Sequence, residues 1–231
     1  MIDIHTHILP DVDDGCKGIS QSAELLREEK NFGVTAVALT PHLRPETCEL
    51  SDEEITAAYK NFVENEEIKA IGVKLFLGRE IELYRGMTGD FEKGKLLSYN
   101  GGKYVLVELK YGGKIDVEEL VYNIKLTGYI PVLAHIERFA YARDVGMIQR
   151  IKAGGALIQV NAQSLVDRRM KEEHYFAVKL FKRRIIDVVA SDVHFGRKNA
   201  LYDAYLKVKK KDEAYARKIF EEIPAKILNC R

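Results

Sequence analysis

Cysteine is scarce in this chain of 231 residues, and the three present are far apart: Cys16, Cys48 and Cys230, with no Cys-x-x-Cys pair. Zinc-knuckle and thioredoxin-type readings are thereby excluded, and a reduced, cytoplasmic setting is expected. Long apolar runs are missing as well. None approaches the ~20 residues that cross a bilayer, so no membrane insertion is expected. The N-terminus lacks a basic stretch leading into an apolar one, so no secretory signal is expected either. Nor is there an excess of charge of one sign. Thirty-six basic and 35 acidic residues leave a net +1, which gives no reason to expect a nucleic-acid partner. The local basic clusters, Lys182-Arg183-Arg184 and residues 207–211, read as solvated helix faces. Apolar residues are plentiful at 46%, enough for a sizeable core. No low-complexity linker or charge block divides the chain, so a single domain over residues 1–231 is expected.

Short apolar runs alternate with helical patterns along the whole length. The runs lie at 1–4, 34–40, 73–77, 104–108, 130–134, 156–160 and 185–190, and their near-continuous apolarity is that of strands buried on both faces. Between them, Ser20 is placed to cap a first helix that Gly33 ends. Ser51 with Glu54, and Asp116 with Glu119, read as capping boxes. Further helices are expected near 144–153, 171–182, 198–210 and 212–222, the last ending before Pro224. Residues 84–102 read as an irregular excursion with one short helix. Seven strands each followed by a helix or long loop predict an α/β fold with a parallel sheet. It is either an open doubly wound sheet or a closed barrel.

Chemistry gathers at the ends of the runs. His5 and His7 follow the first, and alternation along a strand turns both to one face. His42 follows the second, Glu80 the third, Glu108 the fourth, His135 the fifth, Asn161 the sixth, and Asp192 with His194 the seventh. Five of the six histidines therefore sit at strand C-termini beside three carboxylates, while His174 falls in a helical pattern and reads as a surface residue. Contributions from so many strand ends fit a barrel mouth better than one switch point. Imidazole mixed with carboxylate suits zinc, iron or manganese. Eight candidate ligands exceed what one ion takes, so two or three ions with bridging carboxylates are implied.

These residues resemble the motifs of the polymerase and histidinol phosphatase (PHP) superfamily: His5-x-His7, His42, Ala134-His135-x-Glu137-Arg138 and Asp192-x-His194. The opening DIHTHILPDVDDG is similar to that of the PHP-type protein-tyrosine phosphatases of bacterial capsule and exopolysaccharide loci, and the resemblance covers essentially the whole chain. It implies a distorted seven-stranded (β/α)7 barrel and a trinuclear centre, usually manganese. It further implies the ligand set His5, His7, His42, Glu80, Glu108, His135, Asp192 and His194. Cys16 stands where relatives commonly have proline, and Ile136 and Phe139 depart from Ala-His-Pro-Glu-Arg-Tyr. None of these changes removes a ligand.

The expected reaction is hydrolysis of phosphotyrosine by a metal-activated hydroxide attacking phosphorus in line. Arg138 and Arg197, each three residues after a ligand histidine, are the expected phosphate holders, because a planar guanidinium matches two phosphate oxygens. Asp13 or Asp14 in the acidic turn could supply a proton, Asp14 being the preferred candidate. By resemblance, the protein substrate is the tyrosine-rich tail of a bacterial autokinase that controls polysaccharide export. The resemblance leaves self-association open. A small-molecule phosphatase such as histidinol phosphatase is the nearest alternative. A nuclease-like domain lacks support in charge or length, and a non-catalytic metal module would be signalled by lost ligands. A cysteine-dependent tyrosine phosphatase is set aside, since no arginine stands at position 22 or 54 to serve Cys16 or Cys48.

Overall fold

Nine strands, not seven, run through the described residues 1–48, 50–112 and 115–230 of the computed structural model. They are β1 (Ile2–Thr6), β2 (Ala36–Leu39), β3 (His42–Leu43), β4 (Lys74–Leu77), β5 (Glu80–Glu82), β6 (Tyr104–Glu108), β7 (Ile130–Leu133), β8 (Leu157–Asn161) and β9 (Val188–Ala190). The two additions are β3 and β5. Each follows a longer strand after a gap of two residues, and each carries a candidate ligand at its first position. All the strand pairs are parallel. They form a three-stranded sheet in the order β1-β2-β4 and a six-stranded sheet in the order β3-β5-β6-β7-β8-β9.

The ladder runs on through both bends. Gly78 N donates to Leu39 O (2.9 Å) and Glu80 N to Pro41 O (3.2 Å), so β4 stays in step with β2 as it turns into β5. Gly78 has a steric reason to be glycine: a Cβ there would meet the Tyr99 ring at 2.8 Å and Thr40 Cγ2 at 3.2 Å. At the other edge, Asp192 N donates to His5 O (2.9 Å) and His7 N to Val193 O (3.0 Å). The residues just after β9 thereby lie alongside β1.

Helices cover the sheets with apolar stripes, such as Ala23, Leu25 and Leu26 in Gly18–Asn31 and Ile55 and Phe62 in Asp52–Glu64. Ser51 and Glu54 form the expected capping box. Three expectations at helix ends need correcting. The first helix begins at Gly18 rather than after Ser20, because Gln21 Oε1 accepts from Lys17 N (2.7 Å) and closes the turn earlier. Asp116 accepts from Glu119 N (3.0 Å), but no reciprocal bond from the Glu119 side chain completes a box. The last helical stretch runs past Pro224, which sits in the first turn of Ile223–Leu228, where a missing N–H costs nothing. His174 is also corrected. It is buried in Lys171–Lys182, and its Nδ1 donates to Ser164 O at 2.9 Å.

Candidate metal centre

β1 and the residue that follows it bring His5 and His7 to one face, as alternation requires, and both imidazoles are fully buried with their Nε2 atoms 3.3 Å apart. One hydrogen bond aims His7. Its Nδ1 donates to Asp13 Oδ2 at 2.7 Å, which leaves Nε2 to face inward. Asp13 Oδ2 also accepts from His42 N (3.1 Å), and Asp13 Oδ1 accepts from Gly15 N (2.9 Å). Burial works to raise the Asp13 pKa, but the bonds from His7 and Gly15 outweigh it and bring the group to about 2. The acidic turn that holds Asp13 is itself locked at Gly15, where a Cβ would stand 2.0 Å from His7 O.

Glu80, at the start of β5, is the hub. Its Oε2 lies 3.3 Å from His5 Nε2, 3.3 Å from His7 Nε2 and 2.7 Å from His42 Nδ1, while Oε1 lies 2.8 Å from His135 Nε2. Glu108, ending β6, reaches His135 Nε2 at 3.6 Å. Asp192 Oδ1 lies 3.4 Å from His7 Nε2 and 3.6 Å from His5 Nε2. His194 Nε2 and His42 Nε2 both face Asp14 Oδ1, at 3.3 and 3.5 Å. All eight expected ligands thus converge. His135 and Asp192 do so from left-handed backbone, φ 28° and 53°, a conformation that non-glycine residues rarely hold and that concentrates at functional sites.

The chemistry of this set fits divalent cations. Glu80 Oε2 and His42 Nδ1 are 2.7 Å apart, yet both are buried without a hydrogen-bond partner, as is His135 Nδ1. Three imidazole nitrogens around one carboxylate oxygen in poor hydrogen-bond geometry are what a shared cation organises, and buried polar groups are otherwise paired. Three groups have ligand atoms close enough to hold one ion each: His7, Asp14, His42 and His194; His5, His7 and Glu80; and His42, Glu80 and Glu108. Burial and the neighbouring Glu80 charge push Glu108 up to about 7, against the opposing pull of Arg44. Such crowding of carboxylates is costly without positive charge to balance it.

Two arginines stand at the rim. Arg138 Nη1 donates to Asp192 Oδ2 at 3.0 Å, and its side chain is 30% exposed. Arg44, which the strand-end reading passed over, donates from Nη2 to Glu108 Oε2 at 3.1 Å and is 29% exposed. It lines a cavity of about 1010 Å³ with Asp13, Asp14 and Lys17. Arg197 is not brought into the cluster. Its side chain is exposed and lines a separate cavity of about 660 Å³ with Ser20, Glu24 and Phe32. Asp14 is 52% exposed, and the hydrogen bond from His194 holds it below the usual carboxylate range. A row of rings leads outward from the cluster. Phe139 lies 5.8 Å from the His135 ring, and Tyr111, 59% exposed, lies 4.8 Å from Phe139.

Asp13, Arg44 and Gln159 are the site residues that sequence reasoning left without a firm role. Gln159 carried a faint signal, being the single polar residue inside an apolar run. Arg44 carried none, since its partner is 64 residues away.

The likeness to known proteins extends over the full chain. Residues 1–229 match the family described as capsular polysaccharide synthesis, CpsB/CapC. The tyrosine-protein phosphatase CpsB of Streptococcus pneumoniae is 31% identical over 241 residues, 99% of this chain and 98% of that protein. The tyrosine-protein phosphatase YwqE of Bacillus subtilis is 32% identical over 210 residues, 87% of this chain and 83% of that protein. A solved structure from work on YwqE and CpsB, described there as unique metal-dependent tyrosine phosphatases, superposes with a TM-score of 0.90 at 29% identity and covers 99% of this chain and 94% of that one. The TatD-like protein of Archaeoglobus fulgidus shares the fold alone, with a TM-score of 0.62 at 13% identity and coverage of 99% and 100%. A chain with this centre, matched from its first residue to residue 229, belongs to the CpsB/CapC family of capsular polysaccharide synthesis.

Proposed function

We infer that this protein is a metal-dependent phosphoric monoester hydrolase that removes phosphate from tyrosine in proteins. The observation that carries the inference is Glu80 Oε2, buried among three imidazole nitrogens with no hydrogen bond to satisfy it. The activities named for the relatives at 31% and 32% identity supply the phosphotyrosine half of the reading. Two or three divalent ions, manganese first and iron or zinc as alternatives, would be held by the eight ligands together with Asp14. Divalent ions in such a site neutralise phosphoryl charge and make water nucleophilic near neutral pH.

The chain's own residues do the rest. Arg138 and Arg44 hold phosphoryl oxygens from the rim, each using guanidinium donors left over from its carboxylate partner. Arg197, exposed and lining a separate cavity, is not assigned to the phosphoryl group. Asp14, ionised at neutral pH and aligned with three imidazoles, acts as a ligand rather than as the general acid. A tyrosinate leaving group has a conjugate acid near pKa 10, so it needs less help from an acid than a serine alkoxide does. Tyr111, exposed and resting against the buried Phe139, offers the substrate's aryl ring an aromatic surface.

The substrate we propose is the tyrosine-rich tail of a bacterial autokinase, met in the cytoplasm. The strands of both sheets would close into a distorted barrel. That reading is supported by the ladder from β4 into β5 and by the bonds of β1 to residues 192 and 193. The test pairs elemental analysis of the purified protein with kinetics on phosphotyrosyl peptides and on histidinol phosphate. The expected result is two or three ions per chain and a preference for the peptide. A preference for histidinol phosphate would assign a small-molecule phosphatase, and absence of stoichiometric metal would overturn the hydrolase reading.

A further inference from the structure

β8 is the one strand of the six-stranded sheet that brings no ligand to the cluster, yet its two polar residues touch three ligands. Gln159 and Asn161 alternate with Ile158 and Val160, so the amides face the centre while the aliphatic pair enters the core. His135 N donates to Gln159 Oε1 at 2.7 Å. Gln159 Nε2 donates to Asn161 Oδ1 at 2.8 Å, and Asn161 Nδ2 donates to Asp192 Oδ2 at 2.7 Å. A second acceptor site on Gln159 Oε1 faces His5 Nδ1 at 3.2 Å.

The direction of this string is fixed by a group that cannot turn. A backbone N–H only donates, so the Gln159 oxygen must point at His135 and its nitrogen at Asn161. Asn161 must then present its oxygen to Gln159 and its nitrogen to Asp192. Flipping either amide sets donor against donor at one end and acceptor against acceptor at the other. Two consequences reach the centre. His5 must donate from Nδ1, which leaves its Nε2 lone pair facing Glu80 and His7. Asp192 Oδ2 is occupied by Asn161 and Arg138, which leaves Oδ1 turned to His5 and His7.

We propose that Gln159 and Asn161 are positioning residues for the divalent centre: one amide string that sets His5, His135 and Asp192 in ligating orientation together. The proposal rests on the metal-centre reading above. Partners of this kind ordinarily change metal affinity by about 10–100-fold when removed. The reason to expect an effect here is that two of the three ligands sit on left-handed backbone, which their own conformational preference does not hold.

The test is equilibrium competition for Mn2+ and Co2+ against a chelator, with Co2+ visible spectra recorded alongside. It uses the wild-type chain, Gln159→Leu, Asn161→Ala and the double variant. We expect each single variant to bind about 10–100-fold more weakly with a shifted Co2+ spectrum, and the double variant to be no worse than Gln159→Leu, because one string is broken only once. Wild-type affinity and spectrum in the single variants, or effects that add in the double variant, would overturn the proposal. Should Gln159→Leu fail to fold with His135 N unpartnered, Asn161→Ala decides alone on the same two readouts. Failure of the underlying metal-centre reading is distinct, since the wild-type chain would then show no stoichiometric binding.

Discussion

Arg138→Ala separates the holding of substrate from the holding of metal. Arg138 spends one guanidinium donor on Asp192 Oδ2 at 3.0 Å. Its partial exposure leaves other donors for a phosphoryl group. A charge-assisted hydrogen bond is worth about 1.5–3 kcal/mol, and two such bonds partly shielded by solvent come to about 3 kcal/mol. At 1.36 kcal/mol per decade, kcat/KM on an aryl phosphate should fall about 150-fold. Metal content should not change, because Asp192 keeps its bond from Asn161 at 2.7 Å. Arg138→Lys retains charge without the planar fork and should recover about tenfold at most. The assay is steady-state hydrolysis of an aryl phosphate and a phosphotyrosyl peptide, with metal measured on the same preparations. Full kcat/KM in Arg138→Ala would refute the phosphate-holding role. A fall that tracks lost metal would assign Arg138 to Asp192 instead.

His42→Ala and Asp192→Ala should lose bound metal and activity together, and chelation of the wild-type chain should abolish turnover that added Mn2+ restores. Gly15→Ala should unseat the acidic turn, since its Cβ has nowhere to go 2.0 Å from His7 O; weakened metal binding in a folded chain, read by elemental analysis, checks this. Arg79 is buried and paired with Asp52, so Asp52→Ala strands its charge and should cost about 3–5 kcal/mol in urea unfolding. Cys16 is fully buried, and burial pushes its thiol from 9.0 up to about 11. The native chain thus keeps a proton that the unfolded chain loses. This contribution to stability is complete below pH 9 and disappears as pH rises toward 11. Thiol reagents should modify Cys48 and Cys230 in the native protein and Cys16 only on unfolding.

The convergence of the candidate ligands was readable because identity and position coincide: imidazole and carboxylate at the ends of apolar runs need no tertiary information. Their second contacts were not readable. Nothing in the sequence links Arg44 to Glu108 or Gln159 to His5, because those pairs exist only after the sheets form. β3 and β5 escaped because strands of two and three residues are too short to show a period. His174 was misread for another reason. It lies three and six residues before Ala177 and Leu180, on the buried stripe, and a polar residue type hid a helical spacing that places it inside. Nothing in the sequence sets Gly78 and Gly15 apart from other glycines, because the contacts that require them belong to Tyr99 and His7.

The edge of β1 has a consequence for biogenesis. It precedes every other described strand, yet Ser191 N donates to Asp3 Oδ1 across 188 residues of chain. His5 and His7 meet Asp192 across a similar span. Contacts of such separation form late in folding. The nascent chain therefore carries the His5-x-His7 pair without its distant partner until residue 192 has been made. On the metal-centre reading, a cation held by His5, His7 and Asp192 would tie the two sides of that span together, so that cation supply would bear on the yield of folded protein as well as on its activity.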